Sequence, residues 1–152
     1  MCGIFGRVSH SRALSPKDIE GCRAATAAIA HRGPDAAGEW HDSHAFMGHR
    51  RLTIIDLSAA ANQPFHDESG RYVLSYNGEI YNYLELRREL EQAGVRFRTE
   101  SDTEVLLAAW IQWGEAALTR FDGMFAIAIH DRKTKQHILI RDALGQKPLY
   151  YH

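Results

Sequence analysis

A cysteine at position 2, heading the apolar segment Gly3-Ile4-Phe5-Gly6, restricts the architectures open to this chain more than any other feature. Residues 4–8 read as a short buried strand, so the thiol stands at the mouth of a strand that other layers must cover. Once Met1 is removed, residue 2 carries a thiol and a free α-amino group together. The thiol is a strong nucleophile, and an α-amine, with a reference pKa of roughly 7.7–8.0, can act as its base. A cysteine opening an apolar strand is also an ordinary place for a small core residue. Residue 2 alone does not decide between the two.

The bulk properties narrow the choice. The chain has 152 residues, enough for one domain with a proper core. A net charge of −1 offers nothing to nucleic acid or an anionic membrane. No apolar run approaches the roughly 18–20 residues that span a bilayer, and no signal peptide opens the chain. Cys2 and Cys22 are too few for a disulfide framework and fit a reducing cytoplasm. Nine histidines are scattered without metal-ligand spacing, so no metal is expected.

Along the chain the order is strands, helices, strands, not a regular βαβ repeat. Ser15-Pro16-Lys17-Asp18 starts a helix that Ala-rich sequence carries to about His31, where Gly33-Pro34 stops it. Residues 45–57 hold one or two strands. Residues 71–76 form another, ending at the turn pair Asn77-Gly78. Tyr83, Leu86, Leu90 and Ala93 share one helix face, with Gly94 as C-cap. Ser101 and Glu104 read as a capping box opening a helix over 102–113, closed by Gly114. Residues 124–130 and 137–141 pair as a hairpin, and Leu149-Tyr150-Tyr151 begins a further strand. Trp40, Trp110 and Trp113 are expected in the core or at a domain contact. This order predicts a layered α+β fold.

Several polar residues are candidates for chemistry on an amide. Asn77-Gly78 offers an amide and a backbone N–H, the donor types that stabilise an oxyanion; it is equally the commonest hairpin turn pair. Arg51, among apolar β-formers, could clamp a carboxylate through two hydrogen bonds or lie solvated at a strand edge. Asp102, at a helix mouth, could receive an ammonium or merely complement the helix dipole. Glu79 could assist it or face solvent.

Seven segments resemble, in order and over essentially the whole chain, the glutaminase domain of class II glutamine amidotransferases, most of all the asparagine synthetase branch. They are MCGIFG at the start, HRGPD from His31, RLTIID from Arg51, NGEIYNY from Asn77, SDTEVLL from Ser101, GMFAIAI from Gly123 and RDALGQKPLYY from Arg141. Ala143 and Gln146 depart from the usual pattern of the last segment. The resemblance implies an N-terminal nucleophile (Ntn) hydrolase fold, a four-layer αββα sandwich of two antiparallel sheets. It implies that Cys2 attacks the side-chain amide of L-glutamine, with Asn77 and Gly78 as the oxyanion hole. Arg51 would bind the α-carboxylate and Asp102, with the Glu79 region, the α-ammonium. Leu52, Thr53, Ile54 and Ile55 would line the pocket beside Arg51. The implied end product is asparagine, made by an ATP- and Mg-using synthetase domain or subunit that receives the ammonia. No SGGxDS-type pyrophosphate loop occurs in these residues, so no cofactor is expected on this chain. A stop at His152, inside an expected strand, reads as C-terminal truncation. A homodimer is compatible with this reading. The alternatives are delivery of ammonia to another acceptor and a catalytically silent interaction module.

Overall fold

The computed structural model describes residues 2–152; the expected removal of Met1 lies outside the described residues. Strand β1 (Gly3–Val8) leads into helix α1 (Pro16–Ala28). Ser15 caps that helix reciprocally: its hydroxyl accepts from Asp18 N–H, and the Asp18 carboxylate accepts from Ser15 N–H. β2 (Ala36–His41) and β3 (Ala45–Arg51) complete an antiparallel sheet in the order β1-β3-β2. β4 (Phe65–His66), β5 (Tyr72–Ile80), β6 (Gly123–Asp131) and β7 (Gln136–Arg141) form a second antiparallel sheet in that order. Between β5 and β6 lie α2 (Tyr83–Gln92) and α3 (Asp102–Trp113).

The two-residue alternation of each strand sorts side chains into layers. On β3, Phe46 packs with Ile19 and Cys22 of α1. Two positions along plus one, His49 faces the second sheet, where its Nε2 meets Tyr76 O at 3.1 Å. On β5, Leu74, Tyr76 and Ile80 face the helices and join Leu86, Leu90, Val105, Leu106 and Leu107 in the main core. The layers are therefore α1, first sheet, second sheet, and α2 with α3. This is the expected αββα arrangement.

Several boundaries differ from the sequence expectation. The first helix ends at Ala28, and a 3₁₀ turn, Ala30–Arg32, follows; Pro34 disfavours helical backbone at Gly33, which is extended. β2 was not expected, because Ala36, Ala37 and Gly38 hide its alternation behind small residues. Residues 52–57 form no strand. They are a loop tied down by polar contacts. Asn77-Gly78 is not a turn: β5 runs through it to Ile80, paired along its length with β6. Ser101 Oγ does accept from Glu104 N–H, but the Glu104 carboxylate turns to Arg98 and Thr99 N–H, so half of the capping box forms. Leu149-Tyr150-Tyr151 is not a strand, and both tyrosines are exposed. Of the tryptophans, Trp110 and Trp113 pack against the main core. Trp40 lies against His130, with ring centroids 5.2 Å apart.

Candidate active site

The ladder between β1 and β3 sets the first element of the site. Gly3 pairs with Arg50, so the preceding residue, Cys2, meets the end of β3. Its Sγ lies 3.5 Å from Leu52 N and 3.7 Å from Leu52 O. Cys2 is half-buried. It opens into a pocket lined by Arg51, Leu52, Ile54 and Ile55 on one side and by Tyr76, Asn77, Gly78, Glu79 and Asp102 on another. Among the described residues no histidine lines this pocket, and no cluster of His, Cys, Asp or Glu is placed to hold a metal ion.

Thr53 is the one expected pocket residue that the structure directs elsewhere. Its N–H and hydroxyl both donate to Asp35 Oδ2, at 2.8 and 2.7 Å. Thr53 thus anchors the loop instead of lining the cavity.

Arg51 is buried, and its guanidinium holds the same loop. Nη1 donates to Ser58 O and Asn62 Oδ1, each at 2.7 Å, and Nη2 donates to Asp56 O. A guanidinium has five N–H groups in a planar fork. Three are committed here, which leaves Nε–H and one Nη2 hydrogen. Asp56 adds its own ties, accepting from Ser58 N–H and Glu100 N–H. These contacts pin the loop from both ends, which is how a segment without regular structure can form a pocket wall.

Strand β5 supplies the facing wall. Phe125, opposite Gly78, spends both its N–H and its C=O on Asp142 beyond β7's end. Gly78 and Phe125 are therefore a non-hydrogen-bonded pair, and the backbone groups of Gly78 point away from β6. Tyr76 N–H and Ile80 N–H, in the same row, donate to Gln63 Oε1 at 2.6 Å and Asp102 Oδ2 at 3.1 Å. The Gly78 N–H lies between them, on the pocket side. Asn77 is 5% exposed, and its Oδ1 has no partner among the described residues. A buried amide left unspent on structure is costly and calls for an explanation.

Asp102 is buried at the first turn of α3. Burial pushes its carboxyl above the ordinary range, against the pull of hydrogen bonds from Tyr76, Ile80 and Thr103. A group whose pKa is higher folded than unfolded stabilises the fold at low pH and loses that contribution as pH rises through the folded value. Asp102→Asn is expected to raise Tm at pH 7, with the gain shrinking as pH falls into the acid range. Thermal melts at several pH values test this; a lower Tm at pH 7 would contradict it. The same substitution should weaken binding of a cationic ligand group about tenfold to a hundredfold.

Sequence reasoning had not singled out Tyr76, Gln63, Asp56, Ala61, Ser101, Thr103 or Met124, all of which line the pocket. Tyr76, Ser101 and Thr103 carried a signal, as immediate neighbours of Asn77-Gly78 and Asp102.

A sandwich of two antiparallel sheets between helical layers, with a cysteine at the head of its first strand opening into a pocket, is the architecture of the Ntn-hydrolase fold. The same fold occurs in a glutamine phosphoribosylpyrophosphate amidotransferase from Bacillus subtilis, with a TM-score of 0.78 over 95% of this chain and 38% of that one, at 22% identity. The chain belongs to the glutamine amidotransferase domain family, whose model matches residues 1–152. Relatives include asparagine synthetase [glutamine-hydrolyzing] 1 of Bacillus subtilis, 45% identical over 99% of this chain and 24% of its own length. Asparagine synthetase B of Escherichia coli is 39% identical over 99% of the chain and 26% of its own length. The chain thus spans about a quarter of these relatives. Among the described residues no helix is long and apolar enough to cross a membrane.

Proposed function

We propose that this domain hydrolyses the side-chain amide of L-glutamine to L-glutamate and ammonia. The observation that carries the reading is one pocket that holds the Cys2 thiol, an unspent Asn77 amide, Gly78, and two opposite charges, Arg51 and Asp102. That set matches a zwitterionic amino acid bearing an amide. The two remaining Arg51 N–H groups suit a carboxylate. Asp102, assisted by Glu79, suits the ammonium. Held at both charges, the substrate projects its amide toward Cys2, and positioning of this kind supplies a large share of rate.

In the first step Cys2 Sγ attacks the amide carbon, forming an S–C bond and a tetrahedral oxyanion. The Gly78 N–H and the Asn77 amide stabilise that oxygen; a half-turn of the amide presents Nδ2 in place of Oδ1. Collapse breaks the C–N bond and leaves a glutamyl thioester. The thiol proton travels through the α-amine of residue 2 to the departing nitrogen, which leaves as ammonia. Water then attacks the thioester, regenerating the thiol and releasing glutamate. The α-amine belongs to the same residue as the thiol, which makes it the base we assign. His49 is no substitute: burial holds it down to about 4, and its Nε2 is occupied by Tyr76 O.

The ammonia is passed to an acceptor. By likeness to the asparagine synthetases, we assign aspartate, activated with ATP and Mg by a synthetase domain or subunit outside these residues, in the cytoplasm; hydrolysis itself uses no cofactor on this chain. Incubation of purified protein with L-glutamine should release glutamate and ammonia in equal amounts. Intact-mass measurement should show Met1 gone, since a retained Met1 acylates the amine and removes the base. Processed, folded protein without turnover would overturn the reading.

A further inference from the structure

Among the described residues, the Tyr76 hydroxyl makes the one side-chain hydrogen bond to Asp102, at 2.8 Å. Tyr76 is 2% exposed, and its ring lies on the helix face of β5 with Leu74 and Ile80. Room for that ring depends on Gly78: a Cβ there would come within 2.8 Å of Tyr76 Cε2. The Tyr76 backbone is held on both sides, its N–H donating to Gln63 Oε1 and its C=O meeting His49 Nε2. Gln63 is itself tied to Thr103, next to Asp102 in α3, at 3.3 Å. Strand, loop and helix thus converge on one phenol and one carboxylate.

The pairing has a directional consequence. Tyr76 OH and Ile80 N–H both donate to Oδ2 of Asp102. Two donors on one oxygen fix the torsion of the carboxylate, and the Thr103 N–H adds a third, backbone contact to the same group. Burial, with Asp102 and Glu79 close by, pushes the phenol well above its ordinary range, so it stays protonated and remains a donor wherever Asp102 is ionised. A phenylalanine would keep the ring's packing and lose only this bond.

We infer that Tyr76 is a specificity-determining positioning residue, whose hydroxyl orients Asp102 so that the site demands a free α-ammonium on its substrate. The inference rests on the glutaminase reading and says which feature of glutamine Tyr76 enforces. A site built to pair a substrate's charged group rejects analogues lacking it far more strongly than an apolar pocket can.

The test compares wild type, Tyr76→Phe, Asp102→Asn and the double variant with L-glutamine, Nα-acetyl-L-glutamine and 5-amino-5-oxopentanoate, which lacks the amine. Tyr76→Phe is expected to raise KM for glutamine about tenfold with kcat nearly unchanged. Its preference for glutamine over the two analogues should fall by a similar factor. In the Asp102→Asn background the same change should add little, because the effect runs through Asp102. A structural role would instead give additive losses and an unchanged preference. Thermal melts establish that each variant is folded; an unfolded Tyr76→Phe would place the hydroxyl's role in stability and overturn the inference. Wild type that hydrolyses glutamine, with Tyr76→Phe showing unaltered KM and preference, would overturn it alone. Wild type inactive on all three compounds would remove the glutaminase reading and this inference with it.

Discussion

Cys2→Ala will abolish glutamate release from L-glutamine while leaving the fold intact. Among the described residues the thiol makes two weak polar contacts, to Leu52 N and Leu52 O. Alanine keeps the start of β1 and its ladder with β3, so Tm should stay close to that of the wild type. Catalysis has no such reserve. Loss of the nucleophile removes the covalent path altogether, and removal of a nucleophile in comparable enzymes costs roughly 10⁴-fold or more. Coupled glutamate assays and parallel melts measure both quantities. Residual turnover within about tenfold of wild type would mean that the thiol is not the attacking group.

Gly78→Ala is expected to damage stability and activity together. A Cβ at residue 78 would lie 2.2 Å from Met124 O and 2.7 Å from Phe125 Cα. Both are backbone atoms of β6, so no side chain can swing aside to make room. The strands must part, at about 3 kcal/mol, the upper part of the usual range for overpacking. For a chain of this size that lowers Tm by about 10 °C. The displacement also moves the Gly78 N–H and tilts the Tyr76 ring, and misplacing one oxyanion donor costs about 10²–10³ in kcat. Wild-type Tm and kcat in this variant would show that β5 and β6 yield more easily than their register suggests.

The helices and most strands followed from local signals. Ser15-Pro16 with Asp18 marks the start of α1, and 3–4 spacing of Leu86 and Leu90 marks the buried face of α2. The errors have a common cause. Asn77-Gly78 has the turn chemistry of a hairpin, and residues 52–57 have the composition of a strand. In both places tertiary contacts override local preference. Pairing with β6 holds Asn77-Gly78 extended, and the Arg51 and Asp35 contacts hold residues 52–57 as a loop. β2 was hidden because small residues at Ala36, Ala37 and Gly38 carry no apolar alternation to detect.

For the site, residue types and their order along the chain were enough to nominate Cys2, Arg51, Asn77, Gly78, Glu79 and Asp102, since each offers a recognisable donor, acceptor or nucleophile. Order in sequence says nothing about which atoms of these groups remain available. That is set by the sandwich: strand register brings Cys2 against Leu52 and turns Gly78 N–H away from β6. Loop anchoring uses three of Arg51's five donors and takes Thr53 out of the pocket. Layer packing brings Tyr76 from β5 onto Asp102 of α3, a contact across 26 residues. Chemical identity is a property of single residues and can be read one letter at a time. Orientation and desolvation are properties of neighbours, and those exist only once the two sheets and three helices have closed on one another.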